Sequence, residues 1–113
     1  MHDRYAPSVE FTPDLAHAKA MFDNDATLEY LGATITRLEP GLAEGEFTVE
    51  ARHANGFGVC QGGVLFTFAD ALFGGAANSR RTDPTVSAQS EMIYFAPAKV
   101  GRTIRGVARE RHT

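Results

Sequence analysis

Residues Gly62–Ala77 read GGVLFTFADALFGGAA, and only Thr67 and Asp70 in this stretch carry polar side chains. A helix that is apolar on all sides lies either inside its domain or in a membrane. This stretch is too short, and too often interrupted by glycine, to span a bilayer. We therefore predict a helix that is buried in the domain and wrapped by a β-sheet.

Upstream of this helix, the pattern predicts one short helix and two strands. Leu15, Ala18 and Phe22 recur at helical spacing in a segment that opens with Pro13, and Thr12 stands in the N-cap position. Residues with high β-propensity and period-two alternation predict the strands. The predicted elements are a helix at Pro13–Phe22, strands at Thr27–Leu38 and Gly45–Ala51, a turn at Pro40–Glu44 and a loop at His53–Gly63.

Downstream, the sequence predicts two more strands. Thr85–Phe95 alternates apolar and polar residues after a turn at Asp83 and Pro84, and Arg102–Arg109 follows a second turn at Pro97–Gly101. The order of elements describes an α+β domain in which an antiparallel sheet curls around one long central helix. Four strands are few for covering such a helix, so we expect a partner subunit to complete the fold.

Length and composition exclude several classes of protein. A chain of 113 residues with 43% hydrophobic residues and a formal charge of −3 fits one globular domain over residues 1–113. Cys60 is the only cysteine, so no intrachain disulfide can form, as is usual in a reducing compartment. The N-terminal MHDRYAPSVEF lacks the apolar core of a signal peptide. We expect a cytoplasmic protein without a membrane partner.

The charges are unevenly distributed. Ten of the fourteen acidic residues precede Asn55, whereas seven of the eleven basic residues lie from Arg80 onward. The basic surface is either a set of solvated strand edges or a landing site for a phosphorylated ligand. The run of Lys and Arg is not dense enough to predict a nucleic-acid partner. Metal-ligand spacings and the Lys-Ser/Thr of a P-loop are both missing, so we expect no metal and no cofactor.

Asp70 is the residue that most needs an explanation. A carboxylate buried among apolar groups loses several kcal/mol of hydration unless it is neutralised or hydrogen-bonded. It is either a structural aspartate bonded to the backbone or to a dimer partner, or a carboxylate that faces a cleft. In the cleft, partial desolvation would make it a stronger base or nucleophile.

Gly62 lies at the predicted start of the same helix, where free N–H groups and the positive end of the helix dipole converge. A carbonyl placed there would meet an oxyanion hole, and Gly63 would let the substrate approach closely. Alternatively, the two glycines only shape a tight turn. Eight residues span about 12 Å of helix, so one subunit cannot bring Gly62 and Asp70 to one carbonyl. An antiparallel pair of helices in a homodimer can do so, and it gives two equivalent sites at the interface. We expect such a homodimer, assembled further into a homotetramer.

The segment HANGFGVCQGGVLFTFADALFGGAANS resembles the PaaI-like hotdog-fold thioesterases of phenylacetate degradation, and the later YFAPAKVG is similar to a strand end and turn of that family. The family pattern is H-x-N-x-x-G-x-x-H-G-G followed by a helix with an acidic residue. The corresponding residues here are His53, Asn55, Gly58, Gln61, Gly62, Gly63 and Asp70. The resemblance implies a hotdog fold and hydrolysis of an acyl-CoA, with coenzyme A as part of the substrate.

The resemblance also implies roles for individual residues. Asp70 would act as general base or nucleophile, and the Gly62 N–H would polarise the thioester carbonyl. Asn55 would be a polar helper on the same subunit as Gly62, with the acid on the other subunit. Ser87 would orient the attacking water. Gln61 stands where the family usually has His, so this position can donate a hydrogen bond but cannot titrate near neutral pH.

The remaining candidates concern substrate binding. Thr67, three residues before Asp70, could bond its carboxylate or only the preceding turn of the helix. His53 is expected to shape the loop, and Cys60 to be a buried apolar residue. The candidates to meet the phosphates of coenzyme A are Arg80, Arg81, Lys99 and Arg102. Family members continue for another strand pair, which leaves open that this hotdog domain is truncated at its C-terminus and lacks that pair.

Three functions follow as hypotheses. The first is hydrolysis of an aryl- or medium-chain acyl-CoA, for which the resemblance favours phenylacetyl-CoA or hydroxyphenylacetyl-CoA. The second is a non-catalytic module that binds or senses acyl-CoA, since one fold hosts several functions. The third is hydratase or dehydratase chemistry, which is expected to need a His near the acid, and Gln61 removes the obvious candidate.

Overall fold

The chain forms an antiparallel four-stranded sheet with one long helix on its inner face, as described by a computed structural model. The described residues are 3–79, 87–91 and 98–111, with side chains at 3–79 and 98–110. The spatial order of the strands is β1-β2-β4-β3. They are β1 (Thr34–Glu39), β2 (Leu42–Thr48), β3 (Ser87–Glu91) and β4 (Thr103–Arg111). The predicted α+β class is confirmed.

Three α-helices accompany the sheet: α1 (Ala16–Asp23), α2 (Ala26–Leu31) and α3 (Gly62–Ala77). The bounds of α3 are those predicted from the sequence. The predicted N-terminal helix is also present, but it opens with a 3-10 turn at Pro13–Leu15, and the Thr12 side chain makes no capping hydrogen bond. In the described part of the chain, no helix has the length and apolar character needed to cross a membrane.

The predicted strand at Thr27–Leu38 is wrong in its first half, which is the helix α2. The Asp25 side chain accepts a hydrogen bond from the Thr27 N–H at 2.8 Å and caps the first turn. Gly32 ends the helix in the left-handed conformation, with φ of +66°. These two end signals outweigh the β-propensity of the residues between them. The strand β1 begins only at Thr34.

The second predicted strand is shifted by three residues, since β2 runs from Leu42 rather than Gly45 and ends at Thr48. The connection from β1 is therefore tighter than the predicted turn, and Ala51 belongs to a 3-10 turn. Phe47 and Val49 are buried, whereas Ala51, two residues further along, is exposed.

The C-terminal strands agree with the sequence where the structure describes them. β3 lies inside the predicted strand Thr85–Phe95, and β4 begins one residue after the start of the predicted strand Arg102–Arg109 and ends two residues beyond it. Residues 80–86 and 92–97, which include the predicted turn at Asp83 and Pro84, lie outside the described residues.

The helix α3 packs closely on the sheet at Gly45, where an added Cβ would lie 3.1 Å from the Leu72 side chain. On its other flank, Gly75 leaves room for the ring of Phe22 from α1. The sheet wraps around α3 as predicted, but a single chain does not cover the helix completely in the described residues. The sheet and the two short helices bury one face only, so one stripe stays exposed: Gly62, Gly63, Phe66 and Asp70.

Candidate active site

The loop before α3 is folded as a small hairpin that ends at the first residue of the helix. Ala54 and Cys60 pair across it, and the Asn55 N–H donates to the Val59 carbonyl at 2.8 Å. Gly58 adopts φ of +77° at the tip, a conformation that a side chain would strain. The Cys60 N–H donates to the carbonyl of Ala98 at 2.7 Å, so this hairpin is tied to the segment before β4.

His53 holds the base of this hairpin and is almost completely buried. Its Nδ1 accepts the Glu50 N–H at 3.0 Å, so the proton lies on Nε2, which donates to the Tyr30 carbonyl at 3.1 Å. The His53 carbonyl in turn accepts the Gln61 N–H at 2.9 Å. The expectation that His53 shapes the loop is confirmed, since both ring nitrogens are engaged inside the protein.

The first two residues of α3 offer open hydrogen-bond donors. Among the described residues, no acceptor is found for the backbone N–H of Gly62 or Gly63, because the first N–H groups of a helix have no carbonyl one turn earlier. An added Cβ at either glycine would meet no atom within 4 Å. These amides therefore lie at an open helix N-terminus, where a carbonyl oxygen that gains negative charge would be stabilised.

Asp70 is exposed, so the prediction of a buried carboxylate is wrong for the single chain. Within the described part of the chain, the Asp70 carboxylate makes no hydrogen bond and no ion pair. The structure therefore gives no support to a structural role in holding the chain's own backbone. Asp70 lies on the same exposed stripe as Gly62, two helical turns and about 12 Å further along the axis.

Phe66 is a residue that sequence reasoning did not single out. Its side chain is 73% exposed and lies on the stripe between Gly62 and Asp70, one turn from each. Its spacing of four residues from both candidates was the available signal. An aromatic ring this exposed, on a helix this apolar, indicates a face that something else covers.

Asn55 lies in the loop hairpin, and Gln61 directly precedes the open amides. The Asn55 Oδ1 accepts the Phe57 N–H at 2.9 Å, which closes an Asx turn and leaves its NH₂ group exposed. Gln61 is the N-cap residue of α3, and its exposed side chain makes no capping hydrogen bond. The side-chain NH₂ groups of Asn55 and Gln61 are thus both exposed and available to a ligand.

The other candidates are distributed more widely. The Thr67 hydroxyl donates to the Gly63 carbonyl at 2.9 Å, so it bonds the helix backbone and not the Asp70 carboxylate. Ser87 pairs with Arg111 at the start of β3, and its side chain lies outside the described part. Arg80 and Arg81 also fall outside it. Lys99 and Arg102 are both exposed, and the backbone of Lys99 pairs with Val59 of the loop hairpin.

Cys60 is buried beside the hairpin, as expected, and burial raises the pKa of its thiol. A buried, protonated thiol is a weak nucleophile and metal ligand. Across the residues with described side chains, no three His, Cys, Asp or Glu groups converge on a metal site. A cavity of about 450 Å³ lies between residues 8–15 and residues 36–40, and none of its lining residues belongs to α3 or the loop hairpin.

The geometry can be compared with known proteins. A model of the family described as the Thioesterase superfamily matches residues 57–113, which include the second half of the loop hairpin, the open amides and Asp70. The chain belongs to the thioesterase superfamily. Acyl-coenzyme A thioesterase PaaI of Escherichia coli (strain K12) is 36% identical over 96 residues, an alignment that spans 85% of this chain and 68% of PaaI. Both the predicted resemblance and the predicted enzyme class, a thioester hydrolase, are confirmed.

Solved structures of thioesterase superfamily relatives have the same fold as this chain. The E. coli PaaI protein from the phenylacetic acid degradation operon superposes with a TM-score of 0.67 and 33% identity, covering 87% of this chain and 74% of that one. A variant of the phenylacetic acid degradation protein PaaI from Thermus thermophilus gives 0.65 and 31%, covering 79% and 76%. The predicted hotdog fold, an antiparallel sheet around one long helix, is confirmed.

Proposed function

We propose that this thioesterase superfamily chain hydrolyses acyl-CoA thioesters at a site shared by two subunits. The observation that carries the proposal is the exposed stripe of α3, where open amides at Gly62 and Gly63 share one face with an exposed carboxylate at Asp70. An oxyanion hole stabilises the charge that develops on the carbonyl oxygen, and a carboxylate can act as the general base or the nucleophile of ester cleavage.

The reaction needs both groups at one carbonyl. The Gly62 N–H would bind the thioester oxygen as it gains charge. Asp70 would take a proton from water while the water oxygen bonds the carbonyl carbon; the C–S bond then breaks, and the CoA thiolate accepts the proton. Alternatively, Asp70 itself would bond the carbon, and the C–S bond would break to give an anhydride and the CoA thiolate; water then cleaves the anhydride, and its proton passes to the thiolate. Both routes yield the free acid and CoA.

The distance of about 12 Å between the two groups on one helix supports a dimer, because a second α3 running antiparallel brings the acid of one subunit to the amides of the other. The exposed apolar stripe supports the same arrangement. A further pairing of dimers into a tetramer and a cytoplasmic location stay predictions.

For the substrate, we propose an aryl- or medium-chain acyl-CoA, with phenylacetyl-CoA and hydroxyphenylacetyl-CoA as first choices. The similarity to E. coli PaaI supports this class. Lys99, beside the loop hairpin, and Arg102 would meet the phosphates of CoA. Neutralising them should raise KM and weaken its dependence on salt.

Thiol release from a panel of acyl-CoA substrates tests the proposal. The Asp70→Asn variant should lower kcat by about 10²- to 10⁴-fold, the usual contribution of a positioned acid or base. Asp25→Asn is the matched control, because it removes the same charge away from α3 and keeps the capping oxygen of α2. Full activity of Asp70→Asn would exclude this carboxylate from the chemistry.

The same assay separates hydrolysis from the alternative function. Gln61, which stands in place of a titratable residue, is the feature that favours a non-catalytic acyl-CoA-binding module. Such a module would bind a labelled acyl-CoA and release no thiol from any member of the panel.

A further inference from the structure

We infer that Phe66 packs against Phe66 of a second copy of this chain on the two-fold axis of the dimer, and so sets the register that aligns the open amides with the carboxylate. The inference rests on the proposed function, because it assumes that Gly62 of one copy serves Asp70 of the other. It adds the residue that determines how the two helices are aligned.

The two-fold symmetry of a dimer determines which residues of the two helices can face each other. In a two-fold interface, if residue i of one copy faces residue j of the other, then j also faces i. Two antiparallel helices that bring Gly62 opposite Asp70 therefore pair residues whose numbers are symmetric about 66. Phe66 is the residue at that midpoint, and each copy presents it to the same residue of the other.

The exposed surface of α3 has the pattern of a helix–helix seam. Gly62, Phe66, Ala69 and Phe73 follow one another at alternating steps of four and three residues, the spacing that keeps one stripe facing a second helix. Phe66 is 73% exposed in the single chain, while Ala69 and Phe73, which follow it along the seam, are half-buried. The ring at the midpoint thus has the most apolar surface left to cover.

Repulsion between the two Asp70 carboxylates disfavours the registers that would bring them together. Asp70 is the only ionisable residue of α3. A register centred on residue 70, or a parallel pair of helices, would bring two carboxylates together in an apolar seam, where like charges repel strongly. With Phe66 at the centre, the two Asp70 positions lie about 12 Å apart along the axis, each beside an open helix N-terminus whose dipole attracts a negative charge.

Disulfide trapping tests the register directly. In a Cys60→Ala background, the Phe66→Cys variant should oxidise to a covalent dimer, since a disulfide forms when two Cα atoms lie within roughly 4–7 Å. Phe73→Cys is the matched control on the same stripe, because its two copies would be about 21 Å apart and should stay unlinked. Linkage at 73 but not at 66, equal linkage at both, or none at either in a dimer proven by sedimentation would overturn the inference.

Kinetics test whether Phe66 acts as a positioning residue. Phe66→Ala, assayed at concentrations where sedimentation shows a dimer, should lower kcat by about 10- to 100-fold with little change in KM, and Phe66→Leu should recover most of the loss. An unchanged kcat in the Phe66→Ala dimer would contradict the role. The two proposals fail differently: linkage at 66 without turnover in the wild-type chain rejects the hydrolase site, whereas full turnover without linkage at 66 rejects the register.

Discussion

Ser79 is a fully buried hydroxyl that joins the end of α3 to the turn between β1 and β2. It donates to the Ala76 carbonyl and accepts the Gly41 N–H, both at 2.6 Å. In Ser79→Ala both backbone groups lose this partner inside the protein, so the free energy of unfolding should fall by about 1–3 kcal/mol. Urea titration measures the loss. Ser8→Ala is the same change at an exposed position and should stay within about 0.5 kcal/mol of wild type.

Cys60 makes stability depend on pH in the alkaline range. Burial raises the pKa of its thiol above the ordinary value of 9.0, so the folded chain holds this proton more tightly than the unfolded chain. The stabilisation is complete below pH 9.0 and is lost as the pH rises through the raised pKa. Between about pH 8 and pH 10, the urea midpoint of the wild type should fall more than that of Cys60→Ala. Equal slopes would show that this thiol does not titrate differently on folding.

At the scale of elements, the contact between α1 and α3 depends on a missing side chain. A Cβ at Gly75 would lie 2.1 Å from the Phe22 ring, whereas one at Gly74 would approach only the flexible Met21 sulfur, at 3.2 Å. Gly75→Ala should therefore lower the free energy of unfolding by about 1–3 kcal/mol through overpacking. Gly74→Ala, with the same gain in helix propensity, should be neutral or stabilising by up to about 1 kcal/mol. Thermal or urea unfolding of the two variants measures this difference. Equal effects would show that α1 moves freely on α3.

The helices also show what a sequence can predict. The bounds of α3 follow from an unbroken apolar run that begins at paired glycines and ends before Asn78. The helix α2 was missed because Tyr30, Leu31 and other residues with β-propensity dominate this segment of one and a half turns. The capping hydrogen bond at Asp25 stabilises the helix more than these residues disfavour it. For so short a segment, end contacts decide the conformation more than average propensity does.

At the scale of the whole molecule, the candidate site was only partly predictable. Gly62, Gly63 and Asp70 could be chosen as candidates, because the loop motif and a lone carboxylate in an apolar helix are local signals. The exposure of Asp70 and Phe66 could not be predicted, because a helix that is apolar on all sides does not reveal which face its own sheet covers. Which face is left for a partner depends on the packing of α1, α2 and the sheet together.

A shared site predicts that two inactive variants can restore each other. Gly62→Pro removes one amide donor at the first position of α3, where proline is well tolerated, and Gln61 already has the extended conformation that precedes proline, with ψ of 139°. Asp70→Asn removes the acid. Each variant alone should lose about 10²-fold or more of its thioesterase activity.

In a refolded one-to-one mixture of Gly62→Pro and Asp70→Asn, half of the dimers contain one chain of each kind, and each mixed dimer has one site with both defects and one with neither. Activity per chain should therefore recover to about a quarter of the wild-type value. Mixing without refolding is the control, because chains that do not exchange cannot form mixed dimers. If the amides and the acid of one chain served the same carbonyl, every site in the mixture would carry a defect, and activity would stay at the level of the separate variants.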